Sequence, residues 1–86
     1  MTVNRFSNNG LSYNDAIAIT PSDSATLTYR PIAIIIDDGG TAGTIKMGFD
    51  SGNTLTINAV KGIEYKYSPN QIFDTGTTAT SVKGLV

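Results

Sequence analysis

The sequence predicts an all-β domain, a small single-domain β-sandwich or jelly-roll-like barrel of about six to eight short antiparallel strands. Three observations carry this. Apolar residues recur at every second position in Thr44-Ile45-Lys46-Met47-Gly48-Phe49, in Thr54-Leu55-Thr56-Ile57-Asn58-Ala59 and in Ile63-Glu64-Tyr65-Lys66-Tyr67, which is strand period. Clusters of Gly, Pro, Asn, Asp and Ser separate these runs at regular intervals. No window carries a helical repeat, and the strand-favouring Thr and Ile are abundant. The 86 residues make one domain, with a compact radius of gyration of about 12 Å.

Residues 1–14 are polar, Asn-rich and weakly patterned, and read as an extended N-terminal arm, either a frayed terminus or one that orders against a neighbour with Phe6 and Tyr13 as anchors. Residues 15–86 form the β domain. Its first strand is Asp15-Ala16-Ile17-Ala18-Ile19-Thr20, with the isoleucines on one face and the alanines on the other. Pro21-Ser22-Asp23-Ser24 ends it, because proline lacks an N–H and the short polar side chains bond to nearby backbone. Ala25 to Asp37 holds a strand or strand pair interrupted at Arg30-Pro31. Ile32 to Ile36 is apolar on both alternating faces, so it is expected to be covered on both sides, one of them by another subunit.

Asp37-Asp38-Gly39-Gly40-Thr41-Ala42-Gly43 reads as a flexible connection. Asp50-Ser51-Gly52-Asn53 is a tight hairpin turn between two alternating strands, with Ile45, Met47 and Phe49 facing inward opposite Leu55, Ile57 and Ala59. Val60-Lys61-Gly62 turns again, and Ile63 to Tyr67 alternates a third time with Glu64 and Lys66 on its polar face. Ser68-Pro69-Asn70 breaks the chain before a short strand at Gln71 to Asp74. A Gly/Thr turn then leads into a last strand at Ser81 to Val86.

Composition removes several classes of function. A domain of this size buries only about 60–65% of its unfolded surface and often needs a staple. With no cysteine and no histidine, disulfides and zinc are not available. Oligomerisation is the expected staple. The six basic residues are scattered and the net charge is −1, so no nucleic-acid footprint is expected. Ile32-Ala33-Ile34-Ile35-Ile36 is too short to span a bilayer, and the first residues lack a hydrophobic signal core, so no membrane partner is expected.

The same composition leaves little for catalysis. Without His or Cys the common nucleophilic triads are gone. Asp37-Asp38-Gly39-Gly40 offers too few oxygen ligands for calcium and reads as a solvated loop. Gly39-Gly40-Thr41-Ala42-Gly43 lacks the Lys-Ser/Thr ending of a phosphate loop. Glu64 and the aspartates sit on turns or polar faces, without a credible acid–base pair. The expectation is no catalytic residue, no metal, no cofactor and no enzymatic activity. Tyr65 and Tyr67 share a strand face and read as core or interface residues with Ile63. The alternative is that both, with Asn58, line a site for a sugar. Thr54 and Thr56, with Thr44 nearby, mostly reflect sheet propensity; the alternative is an uncharged face that pairs with a copy of itself.

Two stretches stand in a distinctive order. One is Ile19-Thr20-Pro21-Ser22-Asp23-Ser24, followed by Leu27 and Arg30. The other is Phe73-Asp74-Thr75-Gly76-Thr77-Thr78-Ala79-Thr80 with a closing β run. Between them lies the hairpin Lys46 to Ile57 and the Gly62 turn. Over residues 15–86 this order resembles the spike-base proteins of tailed-phage heads and of phage-derived gene transfer agents. The resemblance implies a small β domain without catalysis or cofactor that oligomerises as a ring, a pentamer or a trimer, on the capsid surface at vertices. It would be a head spike base or decoration protein, contacting the major capsid protein and anchoring a spike or fibre protein. It implies localisation on the virion after assembly in the host cytoplasm. A carbohydrate- or receptor-binding module, or an adaptor of a tail or fibre, is the alternative. The interface residues expected are Phe6, Tyr13, Ile34, Ile36, Tyr65 and Tyr67. Pro21, Asp23, Arg30 and Thr75 to Thr80 are expected to shape turns, with the 1–14 arm reaching the capsid or a neighbour.

Overall fold

The computed structural model describes Tyr13 and residues 15–86. Six strands form two antiparallel sheets: β1 (Ala16–Ala18), β2 (Ala33–Ile36), β3 (Gly43–Gly48), β4 (Thr54–Ala59), β5 (Gln71–Ile72) and β6 (Val82–Leu85). The first sheet has the order β1-β6-β2 and the second β4-β3-β5. The closing strand is therefore the centre of its sheet, joining the first strand to the Ile-rich one. Ile17 lies opposite Gly84, and Gly84 lies opposite Ile34.

The two sheets face each other across one core. Ile34, Ile36 and Val82 come from the first sheet; Ile45, Met47, Ala59 and Ile72 come from the second. The strand period delivers this, since Ile34/Ile36 and Ile45/Met47 are each two residues apart and so share a face. Full burial of an Ile or Met side chain is worth about 1.5–3 kcal/mol. An exposed ion pair such as Arg30–Asp50, at 3.0 Å, is worth about 0–1 kcal/mol. The core thus holds the sheets together, and the surface pairs fix local geometry.

The central hairpin follows its alternating pattern. Ile45 pairs with Ile57 and Met47 with Leu55. Phe49 N–H donates to the Asn53 carbonyl at 3.0 Å and Gly52 N–H to the Phe49 carbonyl at 2.9 Å. Gly52 adopts φ 90°, the left-handed conformation that a three-residue hairpin loop requires at its last position. Leu55, facing the core side, is nonetheless 38% exposed. The pattern gives the direction of its side chain, but the described residues cover it only in part.

Three expectations change. Ile63 to Tyr67 forms no ladder strand. It crosses the outer edge of β2 through an antiparallel bridge between Ile34 and Tyr65, while Lys61 bridges Ile36 in parallel. The Gly62 turn, at φ 80°, makes that crossing. Ala25 to Tyr29 also forms no strand, but Leu27 N–H donates to the Asn70 carbonyl at 2.8 Å. Of Ile32 to Ile36, expected to need a second subunit for cover, Ala33, Ile34 and Ile36 are each 0% exposed within the chain itself and Ile35 is half-buried, whereas Ile32 is 50% exposed.

Candidate functional site

The two distinctive stretches of sequence meet in space. The Pro21-to-Ser24 turn lies along β5 and the start of the Thr-rich turn. Ser22 N–H donates to the Ile72 carbonyl at 2.9 Å, and the Gln71 amide to the Ser22 carbonyl at 2.9 Å. Asp23 then clamps Thr75, accepting its N–H at 2.9 Å and its hydroxyl at 2.6 Å. Those donors, the Thr75 hydroxyl first, hold the Asp23 carboxyl below its ordinary value.

Beyond Thr75 the threonines act as substitutes for a strand. Gly76, at φ 100°, turns the chain along the edge of β3 that β5 leaves open. Lys46 N–H donates to Thr77 Oγ1 at 3.0 Å, Thr44 N–H to Thr78 Oγ1 at 2.8 Å and Thr41 N–H to Thr80 Oγ1 at 2.8 Å. The Thr44 hydroxyl returns a bond to the Gly76 carbonyl at 2.8 Å. Side-chain oxygens thereby accept from backbone donors that a ladder would otherwise pair. The contact needs close approach at Gly43, where a Cβ would lie 2.8 Å from Ala79 N and would collide with Thr78 Oγ1.

The acidic loop is also committed to structure. Asp37 Oδ1 accepts the Gly39 N–H at 2.7 Å and Oδ2 lies 3.2 Å from Lys83 Nζ. The Gly39 N–H, then Lys83, lowers the Asp37 pKa. Among the described residues no group of three or more His, Cys, Asp or Glu is placed to hold a metal ion. Arg30 ties the chain before Pro31 to the hairpin tip at Asp50 and, through Nε, to the Ser68 carbonyl at 3.0 Å.

The expected interface residues do not form one surface. Phe6 lies outside the described residues. Tyr13 is half-buried against the exposed Glu64–Lys66 pair: its hydroxyl donates to Glu64 at 3.0 Å and accepts from Lys66 at 3.2 Å. The Tyr13 hydroxyl is the first cause of a raised Lys66 pKa. Ile34 and Ile36 have no accessible surface and belong to the chain's own core, so they are not available to a second subunit. Tyr65 and Tyr67 are half-buried against that core. Tyr65 also accepts the Val60 N–H at 3.0 Å. Asn58 stands on the solvent side of β4, away from the core the tyrosines pack on.

What remains open is an apolar groove of about 290 Å³ beside β1, lined by Ile17, Ile19, Leu27, Tyr29, Pro31 and Val86 among others. Tyr29 at its rim is 59% exposed. Sequence reading missed the groove and the Asp23–Thr75 clamp, because both join residues distant along the chain. A signal for the threonine substitution was present, namely four threonines in six residues where alternation lapses.

The chain is similar to a chain in the capsid of a native gene-transfer-agent (GTA) particle, a structure computed with C5 symmetry. The two share 32% sequence identity with a TM-score of 0.78, over 87% of this chain and 84% of that one. This chain belongs to the family of that GTA capsid-particle protein. No protein-family model matches the chain, and no curated protein sequence does. Within this GTA capsid-particle family, the match extends over nearly all of the two-sheet domain rather than one hairpin.

Proposed function

We propose that this chain is a structural protein of a phage-like particle that assembles with copies of itself on the capsid surface and serves as a spike base or decoration protein. The observation that carries this reading is the likeness, in fold and in sequence, to a chain of the GTA capsid particle. Its work is adhesion through shape. The surface offers uncharged Thr and Asn faces and a short apolar groove. Such surfaces bury against partners with little dependence on salt. In this reading the chain is not an enzyme, its partners are the major capsid protein and a spike or fibre, and it resides on the virion.

The test is reconstitution. Particles made without this protein are incubated with the purified chain, sedimented and imaged by cryo-microscopy. The expected result is co-sedimentation that persists at raised salt, with density for the domain on the outer shell. Recovery of the chain only in the supernatant, with bare capsids, overturns the reading.

A further inference from the structure

We infer that the free edge of β4 in one copy pairs with the free edge of β1 in the next, so that the second sheet of one subunit continues into the first sheet of its neighbour. This rests on the reading of the chain as a self-assembling surface protein. The two sheets of the described residues have four edges, and two are closed within the chain. The outer edge of β2 is crossed by the Lys61-to-Tyr65 segment; β3 is flanked by β5 and the threonine turn, and the far side of β5 is taken by the Pro21-to-Ser24 turn, where Ser22 N–H donates to the Ile72 carbonyl. Among the described residues, the outer edges of β1 and β4 pair with no other strand.

Hydrogen-bond parity shows which groups point outward. Thr44, Lys46 and Gly48 direct their backbone groups toward β5 and the threonine turn. Ile45 and Met47 therefore bond to β4 through Ile57 and Leu55. Thr54, Thr56 and Asn58 are left with backbone donors and acceptors facing out. On β1, Asp15 exchanges both bonds with Val86, and Ile19 donates to Val82. Ala16 and Ala18 face outward. The Ala16 N–H is held by the carboxylate of Asp15 at 2.8 Å, leaving the Ala16 carbonyl and both Ala18 groups without a partner among the described residues.

The two edges complement each other on both faces. In an antiparallel register with Ala18 opposite Thr56 of the next copy, Ala16 meets Asn58, Ile17 meets Ile57 and Ile19 meets Leu55. The small and polar side chains then share the solvent face. The apolar ones lie together over the groove beside β1, where Leu55, 38% exposed in the single chain, finds cover. Asp15 falls diagonal to Lys61, so among the described residues the charges nearest the seam are of opposite sign. Isolated monomers blunt such edges with lysine, proline, bulges or very short strands; neither β1 nor β4 carries a lysine, proline or bulge among its outward residues, and the shortness of β1, at 3 residues, limits the ladder to a few bonds. A contact between two different edges is heterologous and closes into a ring when the rotation permits. A ladder this short buries less than the roughly 1,000 Å² of a stable pair, so each contact is weak and ring closure supplies the avidity.

The test uses proline at outward N–H positions, where no internal ladder bond is lost. Thr56→Pro removes the β4 edge and Ala18→Pro the β1 edge; Thr56→Lys and Ala18→Lys repeat the pair should a proline variant fail to fold, judged by circular dichroism. Native mass spectrometry expects assembly of the unaltered chain, loss of assembly for each variant alone, and, since a single contact has no ring to close, a one-to-one dimer only at raised concentration when the β4-blocked and β1-blocked chains are mixed. Assembly of the Ala18 variants like the unaltered chain overturns the inference in favour of β4 pairing with itself. Assembly of every variant overturns it while leaving self-assembly standing. An unaltered chain that stays monomeric yet sediments with capsids also overturns it but spares the capsid reading. A chain that does neither overturns both.

Discussion

Thr77 shows how much one hydroxyl can carry here. Its Oγ1 accepts the Lys46 N–H at 3.0 Å in a partly buried position. Thr77→Val keeps the shape and removes the acceptor, so the donor is left unpaired. Such a loss costs about 1–3 kcal/mol, and in a domain of this size each kcal/mol lowers the melting temperature by about 4–8 °C. Thr77→Ser, which keeps the oxygen, is expected to recover most of that loss in a thermal unfolding series. Asp23 gives a second outcome, in pH. Its folded pKa lies below the ordinary 3.8 because Thr75 donates to the charged form. A depressed carboxyl binds protons more readily in the unfolded chain, so its stabilisation is fully present above the unfolded pKa and is lost as pH falls through the folded one. Asp37 acts with the same sign. The melting temperature is therefore expected to fall as pH drops below about 4, and Asp23→Asn to make that fall shallower. A variant profile parallel to that of the unaltered chain would remove Asp23 from the account.

Among the elements, the hairpin was legible because strand period and turn chemistry agree: Ile45, Met47, Ile57 and Ala59 face in, and Gly52 stands where the loop needs positive φ. The threonine turn was legible only as a turn. Its alignment with β3 depends on Gly43, thirty-five residues before Thr78, and no local pattern encodes that approach. Ile34 and Ile36 read as an interface for a related reason. A run apolar on both faces says that both are covered, not by what; here the chain's own sheets bury the two residues. Ile63 to Tyr67 has the alternation of a strand but makes an isolated bridge through Tyr65, so period alone did not fix pairing. The Gly43 approach has a measurable consequence. In Gly43→Ala the new Cβ meets the backbone of Thr78 and Ala79, which cannot swing aside as a long side chain would. Overpacking of this kind costs about 1–3 kcal/mol. Urea unfolding is expected to show a lowered midpoint with an unchanged slope, while Gly39→Ala, with only the Asp37 carboxylate at 3.4 Å, shows a smaller change.

At the scale of the molecule, a two-sheet sandwich of this length has a small core, and among the described residues two edges remain for other contacts. Hydrogen exchange reads those edges amide by amide. The N–H groups of Leu55 and Ile57 face β3 within the chain, opposite Met47 and Ile45. Those of Thr56 and Asn58 face outward. In dilute protein the first pair is expected to be protected and the second to exchange as fast as loop amides, because protection requires a partner that must open. Raising the concentration should slow Thr56, Asn58 and Ala18 together, leaving Leu55 and Ile57 nearly unchanged, since a ladder between copies occupies only the outward groups. The melting temperature should climb over the same range, as a partner that binds only the folded chain stabilises it by mass action. Slowing of Thr56 and Asn58 without Ala18 would point to β4 pairing with itself. Uniform slowing of all five amides would mean that association tightens the whole sandwich without using its edges.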